Sequence, residues 1–454
     1  MIPNFDDRDH FAKVLHANLS PTSPIESQEH LYGRQKQVRQ IEQALYAPGR
    51  SIFIYGDRGV GKTSLAQTVA YSHQSASSQP VLLACSPEAT FSGLMGDVIA
   101  ALRGPQQGSR TTTTTLKASI PKVPAGIEVG RTHKEEAVEH SHALDLNSAV
   151  EMLLQIGNLR SGENTVVVLD EFDRLTNDVE RTHFADFIKQ IGDKHIPVRF
   201  VFCGVAESIQ KLLGAHESCF RYLEGVALER LSWDGRFEII DTAARALGVT
   251  IESRPRTRIA AISDGFPHYI HLICEKLFWQ MFNDEAPCTV PNADHYREAI
   301  AESVMGIEQH LQSTYEQAAI LKDTSDNEEV LWAVADHADL FRNTESIYDS
   351  YLKLFGTDHL DRHAVVSRLN ILKGGSCGHI LTNWNQKKGW YEFRESIMRG
   401  YVRLRAEEQG LELALDFAAA TGSSATPAWP LRGARRARMT SRSDWDKTRK
   451  PAGF

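Results

Sequence analysis

Residues Gly56 to Ser64 read GDRGVGKTS, so nine positions hold three glycines, a lysine and two hydroxyls. That set suits the binding of a phosphate chain. Gly56, Gly59 and Gly61 let the main chain wrap closely around an anion, with the amides of Asp57, Arg58, Val60 and their neighbours turned inward. Lys62 is then placed to meet the β- and γ-phosphates, and the Thr63 hydroxyl to bind Mg2+ with Ser64 beside it. The spacing is that of GxxxxGK[ST]. An ordinary glycine turn is the plain alternative.

The loop needs elements to aim it. SIFIY (51–55) precedes it and is an apolar, β-prone run, as expected of a buried parallel strand. SLAQTVAYSH follows it with a helical pattern, and a helix start adds positive potential at the anion. A second acidic element is also required, and NTVVVLDEFDRL supplies it. Val166 to Leu169 form another buried-strand run. Asp170 would stand at the carboxyl end of that strand and hold Mg2+, while Glu171 would orient and polarise a water. Asp173 is read as a supporting acid or a helix cap.

Together these segments resemble the additional-strand P-loop ATPases, and among them the AAA+ and STAND-like group, with origin-recognition-type initiators as the nearest layout. HLYGRQKQVRQIEQAL (30–45) resembles the segment before the P-loop that forms part of the adenine pocket there, with Gly33 and Arg34 at the matching positions. The resemblance implies a five-stranded parallel α/β sheet in the order 5-1-4-3-2, a helical lid, and ATP with Mg2+ as ligands. No [NT]KxD guanine-reading motif occurs, which favours ATP over GTP. Arg221 matches an arginine finger reaching a neighbouring subunit, with a surface salt bridge as its alternative. Sensor 1 is left open between Ser208 and Glu207, with Gly204 at the turn. Where the family carries a Gly-x-x-Arg sensor 2, this chain has Gly265-Phe266-Pro267-His268. His268 therefore stands as a nucleotide contact or as a packing residue, and hydrolysis is expected to be slow or gated.

The expected organisation is a polar lead-in (1–28), an ATPase domain (29–232), a helical lid (233–305), a winged-helix-like domain (306–410) and a disordered basic tail (411–454). Strands are expected near 51–56, 80–85, 165–170, 198–204 and 226–231. Residues 103–140 interrupt the ATPase fold with a threonine run, glycines and prolines, and Lys117, Lys122, Arg131 and Lys134 lie in them. A passive surface loop and a DNA- or client-touching loop are both open readings. In the last domain, NEEVLWAVADHADLF and RHAVVSRLNILK read as helices, and GHILTNW-NQKKG-WYEFRES as a hairpin. IMRGYVRLRAEEQ reads as a closing basic helix. Arg362, His363, Arg368 and Lys373 would serve the recognition helix, with Lys387 and Lys388 at the wing.

Bulk composition sets the outer limits. Hydrophobic residues make up 42% and charged residues 24%, which is ordinary for a globular chain with a sizeable core. Net charge is −8, and Leu431–Phe454 alone carries +6, so nucleic acid could be met only locally. Six cysteines without a CxxC pair, several within apolar runs, suggest a reducing compartment and no structural zinc. No signal peptide or membrane span is expected, and the location is read as cytoplasmic, or nucleoid-associated or nuclear if DNA is bound. Two functions follow. One is an ATP-hydrolysing homo-oligomer acting on double-stranded DNA or a DNA-bound protein client. The other is a STAND-like ATP-gated switch with slow turnover and a protein partner. A small-molecule kinase is a poor third, for want of an acceptor site.

Overall fold

The computed structural model describes residues 2–3, 5–21, 31–76, 78–103, 144–160, 164–205, 209, 219, 221–319, 325–357 and 359–413. Most of the 103–140 interruption, the sensor 1 candidates Glu207 and Ser208, and the tail from 414 lie outside these residues.

Helix α1 (Arg8–Asn18) and helix α2 (Gln35–Tyr46) precede strand β1 (Ser51–Tyr55), which leads through the glycine loop into α3 (Lys62–His73). Then follow β2 (Val81–Ala84), α4 (Phe91–Arg103), α5 (Leu146–Leu159), β3 (Val166–Asp170), α6 (Asp178–Asp193), β4 (Arg199–Gly204) and β5 (Leu223–Ala227). The five strands form one sheet in the order β2-β3-β4-β1-β5, with every neighbouring pair parallel. This is the expected order read from the opposite edge.

Alternation along the strands divides the core. Ile52, Ile54, Val166, Val168, Val201 and Cys203 face one side of the sheet, whereas Phe53, Val167, Leu169, Phe200 and Phe202 face the other. The second side is strongly aromatic and is closed by α4, α5 and α6. The first side is continuous, through α2 and α3, with everything that follows β5.

The fifth strand starts earlier than the sequence suggests, at Leu223 rather than near 226. Its partner register, Ser51 with Leu223 through Tyr55 with Ala227, puts it at the sheet edge, where Glu224 and Gly225 are tolerated. Glu224 meets Gln40 and Arg50 at that edge.

Beyond the sheet lie four helices, α7 (Trp233–Ala246), α8 (Ser253–Ile262), α9 (Pro267–Asn283) and α10 (Ala293–Met305), so the stretch read as a lid is helical. Ser232 caps α7 by accepting from the Gly235 amide, and Pro267 opens α9. The lead-in is more than polar. Phe11 and Leu15 of α1 are buried, and Phe11 stacks on Phe282 and meets Trp279 edge-on from helix α9. The four-residue spacing of Phe11, Leu15 and Leu19 was the sequence signal for it.

The C-terminal elements are α11 (Gln309–Ala319), α12 (Asp326–Ala335), β6 (Phe341–Asn343), α13 (Thr344–Phe355), α14 (Arg362–Leu372), β7 (Leu381–Asn383), β8 (Trp390–Phe393) and α15 (Met398–Glu408). The hairpin β7–β8 forms as expected, and β6 joins it to make an antiparallel sheet in the order β6-β8-β7. Sequence reading missed β6 and α13. Closing helix α15 departs most from expectation, because Arg399, Arg403 and Arg405 are buried rather than displayed. Among the described residues no helix is long and apolar enough to cross a membrane.

Candidate active site

Gly56 ends β1 where the chain beyond β5 closes on it. The Leu228 amide donates to the Tyr55 carbonyl, and a Cβ on Gly56 would sit 2.1 Å from the Leu228 oxygen. No side chain fits there. The loop then turns through Gly59 (φ +83°) and Gly61 (φ +95°), left-handed positions that favour glycine. Gly61 is the N-cap of α3, and a Cβ there would meet nothing within 4 Å, so the concave face is open. Asp57 and Arg58 are exposed, Val60 is buried, and Ser64 lies in the first turn of α3.

Lys62 donates to the loop's own carbonyls, Gly56 at 3.1 Å and Asp57 at 2.8 Å. Burial lowers its pKa, opposed by Asp173, Cys203, Asp170 and Asp57. The ammonium thus sits inside the cradle with acids around it. The Thr63 hydroxyl donates to Asp170 Oδ2 at 2.6 Å. Strand β4 separates β3 from β1 in the sheet, yet the ends of β3 and the start of α3 converge on this pair. Two adjacent oxygen donors suit a hard cation such as Mg2+.

Glu171 is left-handed (φ 52°), a conformation costing a non-glycine residue about 1–2 kcal/mol. Its amide donates to Asp170 Oδ1 at 2.8 Å. Its carboxylate accepts from Arg174 Nη1 at 2.8 Å, with both side chains about half exposed. Arg174 was missed from the sequence, although it stands inside the same acidic motif. Beneath the acids lie two thiols. Cys85 is pushed up to about 12 by burial and by Asp170, Asp173 and Glu171. Cys203 is also raised well above its ordinary value, first by burial and then by Asp170.

The remaining candidates scatter. Gly33 (φ +66°) packs against Gly235 of α7. Arg34 is buried and donates to the carbonyls of Glu229 at 2.7 Å and Val60 at 3.0 Å. It braces the loop against the chain beyond β5, and burial brings its pKa down to about 10. Arg221 is exposed, with its guanidinium over the Tyr222 ring and away from the loop's hydrogen-bond network. His268 hydrogen-bonds through Nδ1 to the Pro21 carbonyl at 2.9 Å, while its buried Nε2 has no hydrogen-bond partner among the described residues.

Residues 30–201 match the family model of the AAA ATPase domain. This segment is thus similar to AAA ATPase domains. Such a domain binds and hydrolyses ATP, in keeping with the glycine cradle and the acid pair. The ATPase domain match ends within β4, so β5, the lid and the C-terminal elements lie beyond it. No curated protein matches the chain. Among solved structures, the Walker-type ATPase of Pyrococcus abyssi has a similar fold, with TM-score 0.50 and 15% identity over 84% of this chain and 99% of that one. The ORC2 protein of Aeropyrum pernix, in ADPNP–ADP complexes, overlays at TM-score 0.44 and 12% identity, over 89% and 99%. The ORC1 protein of Aeropyrum pernix, in complex with DNA, overlays at 0.39 and 16%, over 82% and 92%. At that level neither likeness bears on function.

Proposed function

We propose that the chain is a nucleotide-dependent assembly whose ATPase domain works on double-stranded DNA or on a DNA-bound partner. The observation that carries the ATP chemistry is the 2.6 Å contact between Thr63 and Asp170 at the mouth of the glycine loop. In this reading the amides from Asp57 to Thr63 bind the phosphates, and Lys62 exchanges its loop carbonyls for the β- and γ-oxygens. Thr63 and Asp170 would hold Mg2+, which would supply charge neutralisation at the phosphates. Glu171 leaves Arg174, orients a water and takes its proton. Arg221 acts across the contact between two copies, where its exposure leaves it accessible. Gly33 and His268 stand near the base and lid contacts of the nucleotide, with Arg34 supporting the loop rather than touching the base.

The C-terminal order helix–strand–helix–helix–strand–strand, with its three-stranded sheet, supports a winged helix as the DNA-facing part. Its cations are unequally free. Arg362 pairs with Glu345, Arg368 pairs with Asp326, and Lys373 donates to Asn383. Lys387 lies over the Trp390 ring, and Lys388 is exposed beside it. The wing therefore offers more free charge than α14 does.

A second reading, a switch with slow turnover and a protein partner, is favoured by one contact. The side chain of Ile397, at the start of α15, packs on Gly59 of the loop. Steady-state ATP hydrolysis with and without double-stranded DNA, over a range of protein concentrations, separates the two. Turnover rising with DNA and concentration supports the assembly. Tight ATP binding with negligible turnover in every condition supports the switch. Lys62→Ala should lose nucleotide binding, and wild-type hydrolysis by that variant would refute the site. A concentration-independent defect in Arg221→Ala would refute action across copies.

A further inference from the structure

The antiparallel sheet β6-β8-β7 has one buried face and one that meets water. Arg342, Leu381, Tyr391 and Phe393 belong to the buried face. The opposite face of such a sheet is ordinarily polar, but here it carries three aromatic rings. Phe341 stands opposite Glu392 and Asn343 opposite Trp390, so the alternate residues of β6 and β8 share that face. Trp384, just past β7, joins them. Phe341 stacks on Trp384 with centroids 4.1 Å apart and planes 11° apart. Trp390 leans on both, at 6.2 Å from Phe341 and 5.6 Å from Trp384. Phe341 is 38% exposed and both tryptophans are half-buried. Aromatic rings gathered where polar residues belong mark a binding surface.

The turn between β7 and β8 fixes these rings and adds charge. The Lys387 amide donates to the Trp384 carbonyl at 2.8 Å, and the Trp390 amide to the Lys387 carbonyl at 3.2 Å. Both indoles therefore hang from one closed turn. The Thr344 amide, at the start of α13, donates to the Gly389 carbonyl at 3.1 Å and its hydroxyl at 3.3 Å, which ties the turn down. Asn385 (φ 46°) and Gln386 (φ 58°) are left-handed without being glycine, a conformation that persists where its surroundings impose it. Lys387 Nζ lies 4.4 Å from the Trp390 ring centroid, and Lys388 is exposed beside it. Glu392 lies two residues beyond Trp390, away from the turn. Burial and then the Asp57 carboxylate raise its pKa, so that end of the face neighbours the phosphate loop.

Rings and ammonium groups side by side narrow the choice of occupant. A protein partner would bury the rings in an interface core, where lysine is depleted. Duplex DNA keeps its base faces stacked on one another and offers edges and phosphates. An unpaired stretch offers both a base face for the rings and phosphates for the lysines. Resting on the reading of the wing as the DNA-facing part, we infer that Phe341, Trp384 and Trp390 form a stacking platform for an unpaired base of single-stranded DNA, with Lys387 and Lys388 on the adjacent phosphates. The substrate is then a duplex that opens or ends in a single-stranded segment, rather than uniform duplex.

The test measures binding of the full chain to three labelled DNAs by fluorescence anisotropy. They are a blunt duplex, the same duplex with a single-stranded thymidine tail, and one whose tail consists of abasic sites, which keep the phosphates and lack the bases. The thymidine tail should bind about tenfold or more tighter than the abasic tail, as for the stacking of a base on an aromatic side chain. Trp384→Ala should remove most of that gain and hold the blunt duplex within about threefold of wild type. Trp384→Phe, which keeps a ring, should retain most of it. Lys388→Gln should weaken all three DNAs alike and lower the slope of log affinity against log salt by about one. An abasic tail that binds as tightly as the thymidine tail, or Trp384→Ala with the gain intact, overturns the inference while leaving DNA binding in place. The abasic comparison uses the wild-type chain, so it decides whether or not the alanine variant folds. A wild-type chain that binds none of the three at low salt removes the DNA reading and the inference with it.

Discussion

Glu171 and Arg174 meet at 2.8 Å with 48% and 50% of their side chains in solvent, whereas Arg399 and Asp264 meet at 2.5 Å with 3% and 4%. The two pairs use the same chemistry. In the first, water competes for both partners, so the pair can open whenever a substrate offers something better. In the second, the only alternatives to the pair are buried, unpaired charges. The loop cluster is thus suited to exchanging partners during turnover, and the Asp264 cluster to holding two parts of the chain together.

Asp264→Asn is the largest test of that contrast. It leaves two buried guanidinium groups, those of Arg399 and Arg403, with Arg230 half-buried beside them, facing a neutral amide and should cost about 3–5 kcal/mol in urea unfolding. A loss below about 1 kcal/mol would place the cluster with surface pairs. Next comes Glu171→Gln, which should cut steady-state turnover about 100-fold or more while nucleotide binding and the unfolding midpoint stay put. Retained turnover would mean another group takes the proton.

Acid sharpens the comparison further. Burial alone would raise the Asp264 carboxyl, but Arg399, Arg403 and Arg230 outweigh it and hold the pKa well below its ordinary 3.8. Its folded value is depressed, so its stabilisation is complete above 3.8 and is lost as the pH falls below that. Urea midpoints should therefore drop steeply in the wild type below 3.8 and less steeply in Asp264→Asn. Parallel curves would disconnect the carboxylate from acid unfolding. The smallest effect is expected from Arg174→Ala, with no measurable change in the unfolding midpoint and a modest rise in turnover as Glu171 is released. A large midpoint shift would show the exposed pair to be structural after all.

The same contrast explains what the sequence could disclose. The glycine loop, Lys62, Thr63, Asp170 and Glu171 are legible because their spacing along the chain is itself the chemistry, and neighbouring strand and helix patterns confirm it. The order of the sheet follows from those patterns through resemblance. In the C-terminal elements the hairpin was visible by alternation, but TESIYDSYLKLF went unassigned although Ile347, Tyr351 and Leu354 recur at helical spacing. Arginines in α15 read only as those of a basic helix because nothing local marks them as buried. Their carboxylate partner lies 135 positions away from Arg399, and only the fold brings it near. Arg34 looked like a pocket residue and became a brace for the same reason, since its carbonyl at Glu229 is 195 positions off.

Strand β1 carries the phosphate loop, but both of its sheet neighbours come much later, Ile52 pairing with Val201 across 149 positions and with Glu224 beyond that. On a ribosome adding 5–20 residues each second, SIFIY would emerge and wait about 7–30 s before its first strand partner is made. During that interval its unpaired edge and its Ile and Phe side chains have no place in a sheet. Synthesis speed and chaperone access should therefore govern the yield of active protein, and the interval falls on the very strand that positions the ATP site.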